Sequence, residues 1–68
     1  MDRPIWQMIF QTHFDRITAI NNVERDHPYI PRIGELEELN HKIYRVLDVA
    51  YNHYKRIITV TCNEEKSR

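Results

Sequence analysis

The chain has 68 residues, ten Lys plus Arg against ten Asp plus Glu, a formal net charge of zero and a single cysteine. That length predicts one domain, residues 1–68, near the lower limit of what a single core can stabilise, and the lone Cys62 excludes an intrachain disulfide. Neutrality disfavours a general nucleic-acid binder, which needs a basic excess, and an acidic nucleic-acid mimic alike.

The first periodic block covers residues 3–22. Asp2 is placed to cap a helix and Pro4 suits its first turn, where the missing N–H is no loss. Trp6, Ile9, Phe10, Phe14, Ile17 and Ile20 then recur at helical spacing, with Gln7, Gln11, Thr18 and Asn22 on the reverse. His13 falls within the apolar face, between Phe10 and Ile17. There it reads as a hydrogen-bonded core residue whose protonation would loosen the packing. Asn21-Asn22 forms the stop.

Residues 23–33 are a connection. Pro28 and Pro31 hold the preceding His27 and Ile30 in extended conformations, so a helix cannot run through. The segment is nevertheless apolar, with Val23, Tyr29, Ile30 and Ile33, and is expected to fold back over the elements it joins. The second block, residues 34–58, carries Leu36, Leu39, Ile43, Val46, Leu47, Ala50, Tyr54, Ile57 and Ile58 three or four apart. Glu35, Glu37 and Glu38 stand at its start and Lys55 and Arg56 at its end, as a helix dipole favours. Ile57 to Cys62 is almost wholly β-branched and alternates, which also suits a short strand. With no other strand to pair with, it reads as the helix end and an extended segment, followed by a polar tail at 63–68.

The predicted fold is therefore all-α: a two-helix antiparallel hairpin. Helices of about 30 and 36 Å leave the second overhanging the first. Its apolar stripe, widened by Tyr44 and Tyr51, exceeds what one neighbour can cover. A homodimer forming a four-helix bundle satisfies both.

Few residues suggest chemistry. Glu38 and His41 have the Glu-x-x-His spacing of carboxylate-bridged metal bundles, but lie on the polar face, and helix one adds only Asp15. No metal or cofactor is expected. There is no phosphate-cradling Gly-rich loop, no Ser before Ser67 and no recognisable Cys–His pair, so no enzymatic activity and no catalytic residue are expected. No apolar run approaches the ~20 residues of a membrane span, and the N-terminus does not read as a secretory signal. With one cysteine, a cytoplasmic location fits.

Leu47-Asp48 followed by Tyr54 resembles the end of the Ser-Gln-Glu-Leu-Asp motif and later Tyr of the small helical-hairpin aspartyl-phosphate phosphatases. Tyr44-Arg45-Val46 stands where Ser-Gln-Glu belongs, and the specific part of the motif is missing. The activity is not carried over.

The leading functional expectation is a small protein–protein interaction module, an inhibitor or adaptor acting as a homodimer. Its partner-binding residues would be Tyr29, Ile30, Tyr44, Tyr51 and Tyr54, since tyrosines bring large contact area with few rotatable bonds. One alternative is a nucleic-acid-binding module using Arg32, Lys42, Arg45 and Arg56. Another is a phosphatase-like regulator acting through Asp48.

Overall fold

The computed structural model describes residues 5–23 and 30–65, and these form one curled, five-stranded sheet. The strands are β1 (Trp6–Gln11), β2 (Arg16–Val23), β3 (Leu36–Leu39), β4 (Lys42–Asn52) and β5 (Ile57–Glu64). Their order across the sheet is β2-β1-β5-β4-β3. Strands β1 and β5 are parallel, and the other neighbouring pairs are antiparallel. The all-α expectation is overturned, and the helical hairpin and four-helix bundle go with it: there is no helix among the described residues. Tyr29 of the proposed partner surface and the expected Asp2–Pro4 helix start lie outside those residues.

β5 is the centre of the structure. Its β-branched run alternates cleanly, with Ile58, Val60 and Cys62 fully buried and Ile57, Thr59 and Thr61 half-buried on the other side. Strands place successive side chains on opposite faces, so this run supplies one core face and one outward face. The partner strands that the helical reading lacked are β1 and β4 on either side. β1 follows the same rule, burying Trp6, Met8 and Phe10.

β4 is less regular. Val46 pairs with Cys62 and Asp48 with Thr61, so Leu47 is an inserted bulge residue. Tyr44 and Val46 point inward before it; Val49 and Tyr51 pack against the core after it. The bulge shifts the alternation by one and brings the apolar residues to the spacings of two and three that imitate a helix. β2 is irregular near both ends, where Ile17 is the extra residue opposite Phe10 and Gln11, and Asn22 takes a positive φ of 61°.

The turns follow from residues able to adopt left-handed backbone. Asn40 and His41, with φ of 52° and 68°, form a two-residue hairpin between paired Leu39 and Lys42. That is the type I′ pattern, whose twist matches the flanking strands. The Glu38/His41 spacing is thus a strand end and a turn. Gly34, with φ of 94°, sits at the third position of the Arg32–Glu35 turn, closed by a 3.1 Å bond from the Glu35 N–H to the Arg32 carbonyl. Between β4 and β5, the Asn52 side chain accepts from the Lys55 N–H at 3.0 Å and Arg56 takes a φ of 57°.

The sheet curls until its ends nearly meet. Asn40 Nδ2 donates to the Ile17 carbonyl at 3.3 Å, linking the β3–β4 hairpin to β2. The enclosed face packs Trp6, Met8, Phe10, Val23, Tyr44, Val46, Ile58, Val60 and Cys62, with Ile17, Ile30, Leu39, Val49 and Tyr51 around them. At the end of the expected connection, Ile30 lies against the core and Pro31 is buried, while residues 24–29 lie outside the described residues.

Candidate functional site

The site is built at the β1–β2 end. Gln7 lies opposite Ile57 and Gln11 opposite Thr61, so the β1–β2 loop and the β4–β5 turn occupy opposite ends of the sheet. In that loop the Thr12 N–H donates to the Asp15 carbonyl at 2.7 Å. Thr12 Oγ1 accepts from the Phe14 and Asp15 N–H groups at 3.1 and 3.0 Å. A hydroxyl turn of this kind pins a short loop. It holds Phe14 in solvent at 91% exposure. His13 is exposed beside it, not embedded in an apolar face.

Two open clefts share this tip. One, of about 350 Å³, lies on the outward face over Gln11 and Thr61, with Leu47 and Asp48 of β4 on its far side. Leu47 faces outward by the alternation of β4, 42% exposed, and the bulge turns Asp48 to the same side. The other, of about 650 Å³, lies between the two ends of the sheet. Ile17, Asn40, Lys42, Tyr44, Asn63 and Glu64 line it beside Phe14. Thr12, Phe14, Asp15 and Arg16 border both. Lys42, Arg16, Asp15 and Glu64 give the second cleft mixed charge.

The expected site residues are dispersed. Tyr44 is buried and Tyr51 half-buried, both on the enclosed side of β4. Tyr51 meets Trp6 edge-on at 6.1 Å and stacks with His53 at 6.3 Å; Trp6 also meets His53 edge-on at 5.4 Å. Ile30 packs against the core. Of the described partner candidates only Tyr54 is open to solvent, at 95%, in the turn at the far end from Phe14. The single tyrosine flank seen on a helix therefore does not form.

The basic residues are also separated. Strand parity puts Lys42 and Arg45 on opposite faces. Arg56 lies in the β4–β5 turn. Arg45 is engaged, holding Glu65 at 3.1 and 3.4 Å and donating to the Gly34 carbonyl at 2.9 Å. Asp48 stands on the outward face, paired with Thr61 at the bulge, in a strand and not in a phosphatase-like helix.

Two inward groups have raised pKa values. Burial, reinforced by Glu35, raises the Glu37 carboxyl; burial, reinforced by Glu37, raises the Cys62 thiol. Both belong to the enclosed side and neither borders the Phe14 clefts. Among the described residues no group of three or more His, Cys, Asp or Glu could hold a metal ion. No helix there is long and apolar enough to cross a membrane. No protein-family model matches the chain, and comparison with curated proteins and with solved structures gives no match.

Phe14 is the residue that sequence reasoning misplaced, because its spacing from Phe10 and Ile17 fits a helix. The local signal was Thr12 three residues before Asp15, a turn-forming pair around two loop residues.

Proposed function

We propose that this chain is a small, non-catalytic protein-binding module that docks through the β1–β2 tip. The observation that carries the reading is Phe14, almost wholly exposed yet fixed by the Thr12 turn between two clefts. Covering a phenylalanine from water contributes about 1.5–3 kcal/mol. A pinned backbone also reduces the ordering cost of association. Leu47 extends the apolar contact, while Asp15, Arg16 and Asp48 supply a polar rim of the sort that surrounds an interface anchor. Tyr54 is the corresponding exposed aromatic at the other end, where its neighbours Lys55, Arg56 and Ile57 line a cleft of their own.

The test is affinity capture from the source cells with the native chain and with Phe14→Ser, Leu47→Ser and Tyr54→Ser. Any protein retained by the native chain should be lost with the first two variants and kept with the third. Thermal unfolding of Phe14→Ser should match the native chain, since the side chain touches no core. Retention of every captured protein by Phe14→Ser would overturn the assignment.

A further inference from the structure

We infer that β2 is a self-pairing edge, at which a second copy of the chain adds its own β2 antiparallel, with the two-fold axis at Ile20. Among the described residues, three stretches of strand edge have no strand beside them, and they differ. β3 is four residues long and carries Glu37 and Glu38. The part of β4 beyond Val46, which β3 does not reach, is bulged at Leu47 and carries Asp48. Shortness, charge and bulges are the usual means of keeping edges unpaired. β2 is eight residues long, and its central Thr18-Ala19-Ile20-Asn21 has neither charge nor proline and lies between the two irregularities.

Backbone alternation fixes which groups face outward. The Ile17 carbonyl points away from β1, since it accepts from Asn40. Ala19 and Asn21 then present their N–H and C=O groups to the same open side, while Thr18 and Ile20 face their β1 partners Phe10 and Met8. In an antiparallel pair of two β2 strands, Ala19 of each copy exchanges reciprocal bonds with Asn21 of the other. Ile20 meets its own counterpart at the non-hydrogen-bonded position, where side chains approach closest. Ile20 is an exposed large apolar residue on this strand, at 45%. The register that satisfies the free backbone groups is therefore the one that covers it. The remaining side chains at the seam, Ala19, Thr18, Asn21 and Asn22, are small or uncharged, so no like charges oppose one another. This self-complementarity selects a second copy over an unrelated strand.

Ile20→Cys should form an intermolecular disulfide under mild oxidant, because the dyad brings the two Cβ atoms together. Native Cys62 is fully buried and does not compete. Thr59→Cys, in the middle of the outward face, should not cross-link; if it does and Ile20→Cys does not, the sheets associate face to face and the proposal fails. Ala19→Pro removes an N–H that only the second copy uses, a position where an edge strand tolerates proline. It should weaken dimerisation roughly 30-fold by sedimentation, from the loss of two symmetry-related bonds, with the far-ultraviolet spectrum unchanged. Should Ala19→Pro unfold, Ile20→Lys gives the same reading. A native chain that sediments as a monomer across the concentration range overturns the inference. Phe14→Ser should leave the dimer intact, so failure here is separate from failure of the docking assignment.

Discussion

Replacing Ile57 and Ile58 singly by alanine distinguishes the strand from a helix most directly. On a helical stripe the two neighbours both face the core. On β5 they face opposite sides: Ile58 is fully buried in the centre of the enclosed face, and Ile57 is half-buried on the outward face. Ile→Ala removes three carbons, worth about 2.4 kcal/mol at ~0.8 kcal/mol each when fully buried. The surrounding Trp6, Val46 and Val60 belong to a packed core that relaxes only partly, and the residual cavity brings the cost at Ile58 to about 3–4 kcal/mol. At Ile57 roughly half the area is involved and solvent fills the space, so about 1 kcal/mol is expected. A chain of this length is stable by only about 3–10 kcal/mol. Ile58→Ala should therefore approach the limit of folding, whereas Ile57→Ala should remain well folded. Urea unfolding followed by Trp6 fluorescence reports both, since Trp6 is buried beneath Tyr51 and His53. Equal costs at the two positions, or a larger one at Ile57, would refute the alternation and the strand with it.

Two further outcomes follow from the turns and the titrating groups. His41→Gly relieves a side chain held at a φ of 68° in the type I′ turn and should raise stability by about 0.5–1 kcal/mol in the same urea assay, whereas His41→Val should lower it. Glu37 has a raised pKa in the folded chain, so its contribution is fully present below the ordinary carboxylate range. That contribution is lost as pH rises through the raised value. Glu37→Gln should then stabilise the protein at neutral pH, have little effect in acid, and flatten the pH dependence of the melting temperature over that interval.

Part of the core was legible from residues alone. Ile30 and Pro31, apolar residues of the expected connection, do pack onto the core. Trp6, Phe10, Val46 and Ile58, read as apolar-face residues, are core residues. What misled was the period. Ile9, Ile43 and Leu47 put apolar side chains on the outward face as well, so a helical stripe could be drawn through residues from both faces of a sheet. The extra residues at Ile17 and Leu47 then broke the twofold alternation where it would have shown most clearly. The Asn40-His41 hairpin lacked the glycine that usually marks such a turn, and so the β3–β4 boundary was hidden within an apparent helix.

For the candidate site, tyrosine content pointed to β4, where packing turns Tyr44 and Tyr51 inward. The exposed aromatic next to a cleft is instead Phe14, which composition alone assigns to the core.

By itself the sequence determined a small, neutral, one-cysteine chain and some of its core residues, Trp6, Phe10, Val46 and Ile58 among them. Only the tertiary structure decided that these residues form strands, which face each one takes, and that Phe14 stands in solvent. The physical reason is that a helix satisfies its backbone locally, whereas each strand here depends on a distant one. Trp6–Gln11 becomes β1 because Ile57–Glu64 lies beside it, and Ile57–Glu64 is a strand because both β1 and β4 supply its bonds.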